Sequence, residues 1–149
     1  MGYRNLKECL EDLERTDQLV RIDQEVDGDL EVAEIQRRVY AAGGPAVLYS
    51  RVKGCRFPLV SNLYGTFERT RFLFRDTLER VKRLVELKGD PGAALRRPVS
   101  SLGLLGTAWS MRPKLVGRGP VTECTTQLSE LPAVRNWPDD GGPFITLPQ

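Results

Sequence analysis

The sequence predicts an α/β (α+β) fold, a mixed sheet with flanking helices. Three observations lead there. Four stretches carry apolar residues at helical spacing, two before residue 45 and two after residue 65. Between and after them lie short segments of alternating or continuous apolar and β-branched residues, the signature of strands. Hydrophobic residues make up 40% and charged residues 28% of the 149 positions, the range of an ordinary globular domain able to bury its own core.

The first helix is predicted from Asn5 to Thr16, with Leu6, Cys9, Leu10 and Leu13 on one face. Asn5 is placed as its N-cap and Glu8 stands three residues later. Gln18 to Asp23 alternates apolar and polar residues and reads as a strand. Asp29 can cap a second helix, Leu30 to Ala42, whose apolar stripe is Val32, Ile35, Val39 and Tyr40 and whose end is Gly43-Gly44. Its other face pairs Glu31 with Arg38 and Glu34 with Arg37 or Arg38. Ala46–Tyr49 and Pro58–Ser61 form two strands of a hairpin, separated by the turn-rich stretch Ser50 to Gly54. Thr66 can cap a helix bearing Phe67, Thr70, Leu73 and Phe74. A further helix runs from Thr77 to about Lys88 with Leu78, Val81, Leu84 and Val85 on one face, stopped by Gly89-Asp90-Pro91. Residues 92 to 119 lack a sustained period and read as an irregular connection with a short helix at Leu102 to Trp109. Val121 to Thr126 has strand composition, Leu131 to Trp137 is extended, and Phe144 to Leu147 reads as the start of a strand.

The chain contains no histidine, which removes Ser-His-Asp and Cys-His nucleophile activation, the usual zinc ligands and the common neutral-pH proton shuttle. Its three cysteines, Cys9, Cys55 and Cys124, are odd in number and form no C-x-x-C pair, so a disulfide framework is not expected and a reducing cytoplasm fits. Cys9 reads as a small buried hydrophobe and Cys124 as a strand residue. No apolar run reaches the roughly 20 residues of a membrane span. Residues 65 to 119 carry 12 basic and 5 acidic groups. Such an excess can serve an anionic partner, but solvated or locally paired helix faces explain it as well, and no aromatic interleaving points to nucleic acid. Asp139-Asp140 before Gly141-Gly142 invites a metal reading. Neighbouring side chains of an extended segment point apart, however, and a turn closed by Asp-Gly explains the residues. Gly65 can let a backbone approach a phosphate, although one glycine before a helix is a weak signal. Trp109 and Trp137 read as packing anchors.

The residues taken in order carry a resemblance. Tyr3 to Thr16, Leu19-Val-Arg-Ile22, Leu30-Glu-Val-Ala-Glu-Ile35, Gly44-Pro-Ala-Val-Leu48, Ser61-Asn-Leu-Tyr-Gly65 and Gly119-Pro120 resemble, in family order, the opening of the UbiD family of reversible carboxy-lyases. The most specific block is Leu131-Pro132 followed by Trp137-Pro-Asp-Asp-Gly-Gly-Pro-Phe-Ile-Thr146. The resemblance implies an N-terminal α/β domain, a central flavin-reductase-like split β-barrel and a C-terminal domain that mediates oligomerisation. It implies prenylated FMN with Mn2+ and K+ as cofactors, and aromatic or α,β-unsaturated carboxylic acids as substrates.

On this resemblance residues 1–115 are the N-terminal domain, and residues 116–149 are a connector with the first strand or strands of the split barrel. The family's catalytic Glu-Arg-Glu set and its Asn, His and Glu metal ligands lie downstream of Thr146. No catalytic or metal-binding residue is therefore carried over, and no cofactor is expected on this chain alone. At most Thr146 or Leu147 would approach the cofactor edge. The partner implied is the remainder of a UbiD-type enzyme. The alternative is a non-catalytic subunit or interaction module completing a separately encoded barrel chain, motivated by the strand at Phe144 to Leu147. Binding of nucleic acid through residues 69 to 118 is the third reading.

Overall fold

The computed structural model describes residues 2–89, 109, 113, 115, 117–119 and 122–143. The chain divides into two compact units. One comprises residues 3–70 and 126–149, and the other residues 71–125 with the first two residues.

The first unit is built on a three-stranded sheet in the order β1-β2-β3. Helix α1 (Leu6–Arg15) is capped as its sequence predicts, Asn5 Oδ1 accepting from the Glu8 amide at 2.9 Å. The Glu8 carboxylate turns to Arg4, accepting from its backbone N at 3.0 Å and its Nε at 2.6 Å. Cys9 and Leu13 are buried, whereas Leu6 is half exposed and drops out of the expected face. Burial and the neighbouring Asp12 charge push the Cys9 thiol up, away from the thiolate.

Strand β1 (Leu19–Val26) runs three residues past the predicted end at Asp23, through an irregularity in register between Ile22 and Glu25. Helix α2 (Glu31–Ala41) crosses over to β2 (Ala46–Val52), which pairs parallel to β1. Gly43 ends α2 at φ +62°, as expected. β2 is the central strand, and its four consecutive buried residues Ala46–Tyr49 have that position as their physical reason. β3 (Leu59–Ser61) closes the predicted hairpin, antiparallel to β2. β2 extends to Val52, so the turn falls later than expected, around Gly54 at φ +70°. The core is Val26, Val32, Val47, Tyr49 and Val52, with Ile22, Ile35, Val39, Cys55 and Leu59 packed against it.

Several expectations are corrected. Asp29 does not cap α2: the cap position falls on Leu30 at φ +69° without a side-chain bond, because the Asp29 carboxylate is taken by Arg135. Glu31 does not pair with Arg38 but accepts from the Asp27 amide at 2.6 Å. Glu34 takes both Arg37 and Arg38, at 2.7 Å each. Tyr40 is exposed and leaves the α2 stripe.

Helix α3 (Phe67–Leu73) starts at the predicted cap, with Thr66 Oγ1 accepting from the Arg69 amide at 3.2 Å. Leu73 is buried, but Phe67 is largely exposed and Phe74 about half exposed. In the second unit, α4 (Arg75–Gly89) begins two residues before Thr77, and its Val81 and Val85 are exposed where a buried face was expected. Residues 122–126 form no strand. Thr122 folds back on Gly119, its amide donating to the Gly119 carbonyl at 2.9 Å, and Cys124 is exposed instead of lying in a ladder. The expected helix at Leu102 to Trp109, apart from Trp109 itself, and the strand at Phe144 to Leu147 lie outside the described residues. Among the described residues no helix is long and apolar enough to cross a membrane.

Candidate functional site

Two features of the first unit gather the residues that distinguish the chain. The first is a buried polar node at the end of β3. Asn62, at φ +56°, donates through Nδ2 to the carbonyls of Gly44 at 3.1 Å and Pro45 at 2.8 Å, and its Oδ1 accepts from Gln36 Nε2 at 3.3 Å. Arg69 reaches in from α3 and is 3% exposed. Its guanidinium donates to the carbonyls of Leu63 at 3.1 Å, Gly44 at 3.0 Å and Asn62 at 2.8 Å. Among the described residues only backbone carbonyls hold this cation, and its desolvation lowers the Arg69 pKa from its ordinary value. A side chain at position 65 would place its Cβ 1.8 Å from Asn62 Oδ1. Gly65 is therefore explained by the Asn62 amide, not by an approaching phosphate.

The second feature is the segment 126–143, which returns along the sheet domain. It is fastened at two places. Arg135 clasps Asp29 through Nε at 2.5 Å and Nη2 at 2.9 Å, while its backbone bridges to the β1–α2 loop: Leu30 N donates to Arg135 O at 3.0 Å and Arg135 N to Gly28 O at 3.1 Å. The fit is close, since a Cβ on Gly28 would stand 2.5 Å from the Ala133 carbonyl oxygen. At the other place, Arg56 holds Glu130 at 2.9 Å and the Cys55 thiol donates to the Glu130 carbonyl at 3.2 Å.

The extended reading of residues 131–137 agrees with this path. Asp139 and Asp140 sit in a turn in which Asp140 N donates to the Trp137 carbonyl at 3.0 Å, and the Asp140 carboxylate accepts from Asn136 N at 2.9 Å and Asn136 Nδ2 at 3.2 Å. These carboxylates are turn residues. Trp137 and Trp109 are 58% and 71% exposed, so neither is the packing anchor expected of it.

Between the return segment and β3 lies a groove of about 750 Å³. Among the described lining residues Leu59 belongs to β3 and the others to the return segment, chiefly Leu128, Leu131, Pro132, Val134 and Pro143. Ser129 and Asn136 supply its polar side chains, and among the described residues no charged one lines it. Thr146 and Leu147, the two positions expected near a cofactor edge, lie outside the described residues.

Sequence reasoning missed Arg69 and the Asp29–Arg135 clasp. Arg69 stands four residues before buried Leu73, on the same helical face, and that spacing was the available signal. The clasp joins residues 106 apart and left no local signal.

A family model described as the 3-octaprenyl-4-hydroxybenzoate carboxy-lyase N-terminal domain matches residues 10–88. An uncharacterized protein of Chlamydia trachomatis is 35% identical over 154 residues, which cover 97% of this chain and 26% of the relative. One from Archaeoglobus fulgidus is 32% identical over 151 residues, covering 99% and 31%. The chain thus spans about a quarter to a third of the length of the curated relatives it matches. Among solved structures, vanillic acid decarboxylase of Sedimentibacter hydroxybenzoicus shares 31% identity over 48% of this chain and 16% of that chain, with a TM-score of 0.46. The UbiD-class enzyme HmfF of Pelotomaculum thermopropionicum, in complex with prFMN, shares 33% over 46% and 16%, with a TM-score of 0.43.

Proposed function

This chain belongs to the UbiD family of carboxy-lyases, and from that premise we propose that it supplies the N-terminal α/β domain of a prenylated-FMN-dependent decarboxylase acting on aromatic or α,β-unsaturated carboxylic acids. The observation that carries the reading is the family match over residues 10–88, continued by the block from Trp137 toward Thr146. In this reading residues 1–115 are the N-terminal domain and residues 116–149 lead into the split barrel. Within that connector, residues 126–143 are folded back on the sheet domain.

The residues present do not fit the cofactors. Among the described residues no three His, Cys, Asp or Glu side chains converge on a point where a metal could sit. Among its described lining the groove offers mainly aliphatic side chains with Ser129 and Asn136, and no cation for a phosphate. No catalytic step is therefore assigned to this chain. Its proposed contribution is architectural: it builds and holds the path by which the polypeptide approaches the barrel. The test is to supply the purified chain with prenylated FMN, Mn2+, K+ and a panel of aromatic acids. The expected result is neither flavin retention nor CO2 release, and either one would overturn the proposal.

A further inference from the structure

We propose that the groove between β3 and the return segment is the seat for the polypeptide that continues beyond this chain in its full-length relatives, an inference that rests on the family reading above. Its described lining is mostly aliphatic, with Ser129 and Asn136 the polar side chains and no charged residue among those described, and Leu128 is 75% exposed to water. Leu59 packs against the core cluster and also lines the groove, so the apolar surface is continuous with the domain's interior and held rigidly. Among the described strands β3 pairs only with β2, leaving its outer edge able to accept a further extended segment.

The occupant follows from where the chain runs. Gly142 and Pro143, the last described residues, themselves line the groove. A polypeptide continuing from Pro143 therefore starts at its seat, at the roughly millimolar effective concentration of a short tether. A second copy would have to reach the groove from free solution. The relatives possess the required length, since this chain covers 26% and 31% of theirs.

The experiment joins the full 149-residue chain to the part of the Chlamydia trachomatis relative beyond its aligned region. Amide hydrogen exchange across residues 128–136 is compared between the joined protein and the chain alone, with and without Leu128→Asp. Because Leu128 is largely exposed, the substitution leaves the isolated domain folded, and unchanged exchange across β2 checks this. The uncharged Leu128→Ser is a second, milder variant. Exchange is expected to slow by about tenfold or more on joining, the scale set by burying one leucine, and to recover in both variants. The proposal is overturned by equal exchange in the joined and isolated proteins, or by protection that both variants leave intact. It is also overturned by protection that appears in the chain alone as its concentration rises, which would assign the groove to a second copy. Retention of prenylated FMN by the joined protein is read separately. Flavin retention without protection removes the docking seat and leaves the proposed flavin-dependent function standing, and protection without flavin retention leaves the seat standing and removes that proposed function.

Discussion

Substituting Gly65 by alanine tests the polar node directly. The new Cβ would stand 1.8 Å from Asn62 Oδ1 and 2.5 Å from its Cγ, distances no packed pair sustains. Position 65 is not in the left-handed region, so alanine meets no backbone penalty there and the whole cost falls on the amide. Asn62 is 7% exposed and must swing away, surrendering the Gly44 and Pro45 carbonyls and the Gln36 contact. Two to three hydrogen bonds at about 1 kcal/mol each give a loss of about 2–3 kcal/mol, a large share of a typical domain's stability. The decisive control is the background Asn62→Gly, which removes the amide while keeping a residue at ease at φ +56°. There Gly65→Ala has nothing to strike and should cost under about 0.5 kcal/mol, so the coupling between the two sites is about 1.5 kcal/mol or more. Urea unfolding of the four proteins measures it. A Gly65→Ala cost that is small alone, or equal in both backgrounds, refutes the reasoning.

Other consequences follow from the same contacts. Hydrogen bonds from Arg37 and then Arg38 hold the Glu34 carboxyl down to about 2 from an ordinary 4.5. Its contribution to stability is present above about pH 4.5 and is lost as pH falls toward 2. A carboxyl NMR titration should find this midpoint, and Arg37→Gln with Arg38→Gln should return it toward 4.5; an ordinary midpoint in the unmodified chain contradicts the geometry. Burial holds the Tyr49 phenol above its ordinary value of 10, partly offset by its hydrogen bond with Ser61. The neutral form is thus favoured in the folded state, and that stabilisation is lost only as pH rises beyond 10. Tyr49→Phe, which removes the 3.1 Å contact with Ser61 Oγ, should cost about 1 kcal/mol in denaturant unfolding. Gly28→Ala drives a Cβ against the Ala133 carbonyl and should release the two backbone bonds to Arg135. Faster amide exchange across 128–136 with α1 unchanged is the expected signature, and unaltered exchange would show that the segment is not held there.

Much of the sheet domain was legible because its determinants are local. The Asn5 and Thr66 caps, the Gly43 helix end, the apolar run Ala46–Tyr49 and a turn that takes up the Asp139-Asp140 carboxylates, although it closes from Trp137 to Asp140 and not at Asp-Gly, each rest on residues within a few positions of one another. What escaped depends on distant partners. Asp29 has the composition of a cap, but an arginine 106 residues away offers its carboxylate two charge-assisted bonds. Arg69 looked like one more solvated base, and only the fold brings three backbone carbonyls around it. Trp137 misled for a related reason: its size argued for burial, yet it lies on a turn and is 58% exposed. The family block was recognisable in the letters, whereas the turn role of its carboxylates became specific only with Asn136 bound to Asp140.

In the proposed reading this chain furnishes the framework of a UbiD-type decarboxylase, and the cofactor chemistry resides in the further length that its relatives carry. The most direct measurement adds prenylated FMN, Mn2+ and K+ to the chain alone and to the chain joined to the remainder of its chlamydial relative, then reads the flavin spectrum after gel filtration. The account predicts flavin retained by the joined protein and washed from the chain alone. Flavin retained by the 149-residue chain alone, or by neither protein, would contradict it.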